Sequence, residues 1–469
     1  MPRPDHRPRR AHRWRGHRTG RSLPPVAGRP DTECRAVSDR EARARVDRGA
    51  RGPLPSGRGE RPHRRRTGGP VRRRARLGRG AIDVTAAGTP SRTHTAVVRR
   101  ADGVAVEQVP TPRPGPGELV VAPLLAGLCG TDIQMLQGLR DDPAPVIGHE
   151  GVARVIAAGA EVPADLGVGT LVAVNPTHPH DPSFLLGHNV DGMLQERVLI
   201  PATAVRAGLV LPVEPLPELE LFALLEPLAV IRYSLALLRT AAPETLVVYG
   251  GGTVGHLAVR AAARWLGPEV ETVLVHRSDA GAEWSRSRPY GPATVLGPRE
   301  GGGAAVAAAV GGRRSAVVIA TPRDATIECL ESVLKHLPEV AMIDLIGGLP
   351  PGARTPLLPG ADLVSIRAAN HAGSPDPGRA SECGTSEGFN VRLTGHRGVA
   401  NRHLTAAAAE LSEAPERYRD LVTHTTGLEA AARIMDRVQH GRGRTVDGAR
   451  LVKLAVRIQP EAEPSWEDR

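Results

Sequence analysis

Residues 124–151 read LLAGLCGTDIQMLQGLRDDPAPVIGHEG, which puts Cys129 twenty positions before the His149-Glu150 pair, each beside a glycine. A Cys thiolate and a His imidazole are donors that zinc prefers, and two of them on tight turns make half of a metal site. A further carboxylate, Glu226, and a glycine fingerprint at Gly250, Gly252 and Gly255 lie downstream. A metal-ligand set followed by a nucleotide-binding turn is the order expected of an enzyme that moves hydride under a Lewis acid.

At GLCGTD, GHEG, LLEPLAV, GGGTVG and the late LVTHTTGLEAA the chain resembles the zinc-dependent medium-chain dehydrogenase/reductase family, which includes alcohol, sorbitol and threonine dehydrogenases. Each string alone is weak; five in the family's order are strong. The resemblance spans roughly residues 95–457. It implies a metal site of Cys129, His149 and Glu226 with one open position, the arrangement of a catalytic zinc. This Cys-His-Glu set is closer to the polyol, sorbitol-like branch than to alcohol dehydrogenases with two Cys ligands. Glu150 is expected either beside the ligands or as an exchangeable ligand.

The resemblance also gives Thr131 a catalytic role, with its hydroxyl bonding the substrate oxygen and starting a proton relay. Asp132 is expected to hold a backbone turn or orient a ligand. Where many members carry four close Cys around a structural zinc, VNPTHPHDPSFLLGHNVDGMLQERV has none, so a single zinc per chain is expected. His178, His180 and His188 match no zinc spacing and read as surface or substrate-facing side chains.

The run Leu246–Tyr249 reads as a strand, Gly250-x-Gly252-x-x-Gly255 as the tight turn, and Val254 onward as a helix whose N-terminus receives a pyrophosphate. Thr253 and Val254 belong to this cofactor turn. An NAD enzyme places Asp or Glu about twenty residues further on. Here Arg277 stands in that place, followed by Ser278, and its fork of donors suits a 2′-phosphate, so NADP(H) is favoured over NAD(H). The counter-reading is that Asp279 grips the ribose and Arg277 is a solvated surface residue.

The elements that must position these groups fall into an α/β architecture with two lobes. Short runs between Thr95 and Thr203 (TAVVR, ELVVAPLLAG, GVARVIAAG, TLVAVNP, QERVLIP) suit a mostly antiparallel β barrel, which the resemblance makes the chaperonin-10-like (GroES-like) catalytic domain over 90–240. Glu226-Pro227 opens a helix, with Pro in its first turn. Strands then alternate with helices over 241–400, including helices from Val254 to Leu266 and near Ala325 to His336, the pattern of a doubly wound parallel Rossmann sheet. Residues 401–458 read as two helices around a strand and by resemblance return to the catalytic domain. A Gly/Pro/Ser-rich insertion near 358–390 is either disordered or functional, as a cover for the cleft or an association surface.

The 469-residue chain carries a net charge of +11, which on its face points to an acidic partner. Its distribution removes that inference. Residues 1–80 hold 25 Arg, no Lys and 7 acids, leaving the remainder at −7. This Arg/Pro/Gly-rich leader, 1–83, has no apolar periodicity and is expected to be disordered. A nucleic-acid arm would need aromatics to stack bases, and Trp14 is its only one, while an organelle transit peptide would be amphipathic and poor in acids. A mis-set start with a true beginning near Val84 fits the composition best. There is no signal-peptide core and no run of about 18 uninterrupted apolar residues, so no membrane partner is expected. Four scattered Cys argue against a disulfide framework and make a reducing cytoplasm the expectation.

The expected function is a zinc- and NADP(H)-dependent oxidoreductase that interconverts a secondary alcohol and a ketone on a small polar polyol, sugar or cyclitol, in the biosynthetic, reductive direction, as a homodimer or homotetramer. A GC-rich composition and the NPTHPHDP segment add a resemblance to cyclitol reductases of aminocyclitol antibiotic pathways. The alternatives are an NAD-linked sorbitol- or threonine-type dehydrogenase, a zinc-free quinone-reductase-like enzyme, which Cys129 and His149 oppose, and a nucleic-acid-binding protein using the leader.

Overall fold

The computed structural model describes residues 92–441 and 444–458. The Arg-rich leader and the expectations attached to it lie outside the described residues. Two sheets carry the architecture, and each grows out of the β-rich runs of the sequence.

In the first, the strand Leu119–Leu128, buried at every residue, pairs antiparallel with Glu150–Ala158 on one side and Lys453–Arg457 on the other. The order Val422–Thr426, Lys453–Arg457, Leu119–Leu128, Glu150–Ala158, Leu171–Val174, Val210–Pro212 brings the end of the chain into the same sheet as its beginning. The helix Asn401–Glu413, by contrast, contributes Leu404, Ala407 and Leu411 to the core around the Leu225–Arg239 helix, so the sheet return starts at Val422. Thr93–Arg100 and Gly103–Pro110 form their own hairpin beside this sheet.

The second sheet has the order Thr294–Leu296, Glu271–Val275, Thr245–Tyr249, Ser315–Ile319, Val340–Asp344, Asn390–Thr394, all parallel. Its oldest three strands in sequence run outward from Thr245–Tyr249 and the next three run the other way, the doubly wound Rossmann arrangement with its crevice at the reversal point. Parallel strands are buried on both faces, which is why TLVVY and SAVVI are continuous apolar runs.

The 358–390 insertion is built into this sheet. It supplies the helix Leu363–Arg367 and the strand Ser381–Gly384, which pairs antiparallel with Asn390–Thr394 and forms the sheet's edge. It also reaches the other lobe, where His371 Nε2 lies 3.1 Å from the His178 carbonyl. The lobes meet again where Asn175 Nδ2 donates to the Val399 carbonyl at 2.9 Å.

One helical run, Leu219–Arg239, has the length and apolarity of a membrane span, yet 83% of its most apolar window is buried inside the fold. It is the helix on which both sheets rest, in a core with Leu125, Val152, Leu246 and Val318.

Beneath it, Ser234 donates to Asp344 Oδ2 at 2.5 Å, and His396 Nδ1 lies 3.8 Å from the same carboxylate. Burial pushes Asp344 up to about 6, against the Ser234 hydrogen bond and the Arg367 charge, which lower it. A carboxyl whose folded pKa exceeds its unfolded value of about 3.9 stabilises the fold fully below that pH and loses the contribution as pH rises through 6. A shift of roughly two units corresponds to about 3 kcal/mol. Asp344→Asn is therefore expected to gain on the wild type between pH 4.5 and 7.5 in paired urea unfolding curves; parallel pH profiles would contradict this.

Candidate active site

Cys129 ends the buried strand Leu119–Leu128 and caps the helix Gly130–Leu136. Asp132 fixes this turn, because its Oδ2 accepts the Cys129 N–H at 2.8 Å. The neighbouring strand delivers His149 and Glu150 alongside, since Glu150 is in register with Gly127. One ligand atom from each of Cys129, His149 and Glu150 lies within 4.8 Å of the others, and this is the one such His/Cys/Asp/Glu group among the described residues.

Asp132 does a second job: its Oδ1 stands 3.5 Å from His149 Nδ1. A carboxylate on one ring nitrogen fixes the tautomer and leaves Nε2 for a metal, the usual support of a ligating histidine. Both expectations for Asp132, holding a turn and orienting a ligand, describe contacts it makes. Burial works against protonation of His149, but the charges of Asp132 and Cys129 raise its pKa well above the ordinary value. Burial pushes the Cys129 thiol up, Glu150 adds to this, and His149 offsets it. The cluster thus sets a half-buried thiol, a buried imidazole and a buried carboxylate together, a group that favours positive charge in its midst.

Glu226 does not join the three-residue cluster. As the second residue of the Leu225–Arg239 helix it is raised to about 7 by burial, while the charges of His149, Glu150, Lys453 and Asp132 also act on it. It therefore borders the same pocket, and it has no ion-pair partner among the described residues. Glu150 does have one: fully buried Lys453 donates to its Oε2 and, at 3.3 Å, to the Leu128 carbonyl. Sequence reasoning missed Lys453, although it is one of only two lysines in the chain.

Thr131 stands in the first turn of the same helix, with its Oγ1 buried and without a hydrogen-bond partner. A buried orphan hydroxyl is costly unless something outside the chain satisfies it. His149 Nδ1 and Asp132 Oδ1 are likewise short of full hydrogen bonds. Together with two soft or imidazole donors and an unpaired carboxylate, these atoms fit a divalent cation with a polar ligand beside it.

None of the three histidines of the Cys-free segment belongs to the ligand cluster, although His188 packs against it. His178 Nδ1 caps a turn, accepting N–H groups of His180 at 3.1 Å and Asp181 at 2.8 Å. His188 packs its ring 4.9 Å from that of His149 and bonds Asp142 at 3.0 Å. Burial lowers His188 to about 4, so it is a neutral wall of the pocket.

The glycine turn lies at the end of the strand Thr245–Tyr249, and the helix Thr253–Trp265 follows it. A Cβ on Gly255 would collide with the Gly250 carbonyl oxygen, so this tight turn requires glycine there. Around the turn the fold collects three cations that lie far apart in sequence. Arg450 Nη2 donates to the Gly251 carbonyl at 3.3 Å. Arg444 Nη1 is 3.6 Å from where a Gly252 Cβ would stand. Desolvation and then the positive charge of Arg277 lower Arg444, which brings Arg277 to the same region. Arg277 itself is exposed.

The other residues expected at this turn have additional structural work. The Thr253 hydroxyl donates to the Val452 carbonyl at 2.7 Å, Ser278 caps the helix Asp279–Arg286 through Gly281 N at 3.2 Å, and Val254 packs against the core. Asp279 pairs with Arg299 at 3.0 Å. Under the turn, Ser285 Oγ bridges His276 Nε2 at 2.8 Å and His256 Nε2 at 3.1 Å, and burial lowers these rings to about 4 and about 3. Neutral His276 thus fills the space below Gly251 and leaves Arg277 as the outward charge.

Comparisons with known proteins bear on the fold and the family. The GroES-like domain of alcohol dehydrogenases matches residues 115–209. A zinc-type alcohol dehydrogenase-like protein of Haemophilus influenzae is 24% identical over 346 residues, 70% of this chain and 94% of its own length. A glucose 1-dehydrogenase of Thermoproteus tenax is 29% identical over 201 residues, so the chain spans 56% of that relative's length. Two solved structures share the fold: a Sinorhizobium meliloti 1021 protein bound to NADP (TM-score 0.58, 21% identity, 78% of this chain and 99% of that one) and Escherichia coli galactitol-1-phosphate dehydrogenase (TM-score 0.59, 18%, 77% and 99%).

Proposed function

Because this chain belongs to the zinc-dependent medium-chain dehydrogenase/reductase family, we propose that it interconverts a secondary alcohol and a ketone on a polyol, sugar or cyclitol, with one zinc per chain and a preference for NADP(H). The observation that carries this function is the convergence of Cys129, His149 and Glu150, with ligand atoms within 4.8 Å, beside the unpartnered Thr131 hydroxyl. Bound zinc supplies Lewis acidity at the substrate oxygen, and bound nicotinamide supplies or accepts hydride.

The chain's own residues do the rest. Cys129 and His149 hold the metal, and Asp132 keeps the His149 ring in the orientation that frees Nε2. Glu226, the carboxylate without a cation partner, would be the third ligand, while Lys453 restrains Glu150 in the pocket wall. Thr131 Oγ1 gives or takes the proton of the reacting oxygen, the acid–base step that both directions require. Leu128, Ile133, Leu451, Val452 and Leu454 line a small cavity together with Arg444, an apolar surround beside Cys129 that disfavours bulk water there.

NADP(H) preference rests on Arg277, Arg444 and Arg450 around the turn and on the engagement of Asp279 by Arg299. Guanidinium forks match a phosphate in geometry and charge. Arg277→Asp is expected to weaken NADPH binding about 10- to 100-fold, the effect of losing a charge-assisted contact, while NADH binding is kept or improved. Fluorescence titration of both nucleotides checks it, and an unchanged NADPH/NADH ratio would contradict the assignment.

A further inference from the structure

The mouth of the cleft between the lobes carries a second group of arginines that neither the metal nor the cofactor uses. The turn Leu139-Arg140 follows the helix that bears Thr131 and Gln134. From the Rossmann side, Arg323 crosses to it and donates Nη1 to the Leu139 carbonyl at 3.0 Å, while its buried Nε has no partner. Gly348 lies against both lobes: a Cβ there would stand 3.5 Å from Arg323 Nε and 3.6 Å from Gln134 Oε1. The adjacent Gly347 and Ile346 carbonyls accept from Arg367 Nε at 2.7 Å and Nη2 at 2.9 Å. Gly395 packs on the Arg367 backbone, and two residues on, Arg397 is exposed with no ion-pair partner among the described residues.

These guanidinium groups feel one another. Burial first, and then the positive charges of Arg397, Arg140 and Arg323, lower Arg367 to about 10, with Asp344 opposing. Two carboxylates nearby are already engaged, one of them by Arg140 itself. Asp142 is shared between Arg140 at 2.7 Å and His188 at 3.0 Å, and Asp344 is bonded by Ser234. Asp141 and Asp324, also at this rim, are exposed and form no ion pair. Arg323 and Arg397 have no ion-pair partner among the described residues, and the buried Arg323 Nε has no acceptor, so an anion that arrives from outside would satisfy them.

The distance is suited to a substrate. Gln134 is five residues after Cys129 along one helix, about 7.5 Å at 1.5 Å per residue, which is the span of a short polyol chain. Resting on the dehydrogenase assignment, we infer that the substrate bears an oxyanion, a phosphate monoester or a carboxylate, at the end remote from its reacting carbon, and that Arg323 and Arg397 hold it there, beside the Arg140–Asp142 pair. Arg367 positions the Gly347–Gly348 loop between them.

The test uses full-length zinc-loaded enzyme saturated with NADP+, which fills the phosphate sites at the glycine turn. Calorimetric titrations with sorbitol, sorbitol 6-phosphate and gluconate are compared, with inorganic phosphate as competitor. At least one of the two anions is expected to bind about tenfold or more tightly than sorbitol, with an advantage that shrinks as salt is raised and is competed by phosphate. Tight sorbitol 6-phosphate assigns the oxyanion to a phosphate ester; tight gluconate assigns it to a carboxylate. Arg397→Glu, at an exposed position, and Arg323→Gln are expected to cut the advantage about tenfold each. Equal affinity for charged and neutral ligands, no binding of any, or an advantage that survives both substitutions would overturn the inference. Failure of the dehydrogenase assignment registers separately in the same sample, as absence of zinc and of NADP+ binding.

Discussion

His149→Ala is expected to leave the nucleotide site intact and to abolish both metal retention and turnover. The imidazole is a buried donor between Cys129 and the Asp132 carboxylate, and no other His, Cys, Asp or Glu among the described residues completes a three-ligand group there. Two remaining ligands cannot hold zinc against water, and the open-site geometry of a catalytic metal is lost. Alcohol oxidation then has no stabilisation for the developing charge on oxygen, so kcat/KM should fall by about 10³-fold or more. NADPH binding, which depends on the Gly250–Gly255 turn and on Arg277, Arg444 and Arg450, should change less than about threefold. Zinc analysis, turnover and nucleotide titration on one preparation check this. Retained zinc at full stoichiometry would contradict the ligand assignment.

Lys453→Met should produce a large stability effect that depends on metal loading. The ammonium is buried and is the single cation paired with Glu150. Removing one partner of a buried ion pair leaves an uncompensated charge, and such changes cost about 3–5 kcal/mol. In the metal-free protein the other positive charge beside the Glu150 carboxylate is the His149 ring, which is already engaged by Asp132 and compensates in part. In the zinc-loaded protein the ion itself lies within reach, because Glu150 already places an oxygen within 4.8 Å of the Cys129 and His149 donors. The substitution is therefore expected to lower the metal-free unfolding temperature by several degrees and the zinc-loaded one by much less. Equal losses with and without zinc would mean that Glu150 cannot turn towards the metal.

Local strings carried much of the site. Cys129 and His149 lie in short glycine-flanked runs, and the nucleotide turn lies between a five-residue strand and a helix, so their chemistry is visible within a few residues. The Rossmann order followed from strands alternating with helices, because each βαβ unit is itself local. What could not be read were partnerships across the chain. Lys453 meets Glu150 over 303 positions, and the pairing exists only because the last strand returns beside Leu119–Leu128. Arg444 and Arg450 reach the glycine turn from about 200 positions away by the same return.

The insertion near 358–390 had a composition that marked it as loop or function and concealed its edge strand, since Ser-Glu-Cys-Gly has little strand propensity and is held by pairing with Asn390–Thr394. Glu226 was legible as a carboxylate opening a helix, but its position at the pocket's border, outside the three-residue cluster, depends on how that helix packs across both sheets.

The most direct test of a single catalytic metal beside a nucleotide turn is elemental analysis of the purified full-length protein, with NADPH and NADH titrated on the same sample. One zinc per chain, absent from Cys129→Ser/His149→Ala, and tighter binding of NADPH than of NADH are the predicted results. A chain that holds no zinc, or keeps it after both ligands are removed, or binds neither nucleotide, would contradict the assignment of Cys129 and His149 to a hydride-transfer site.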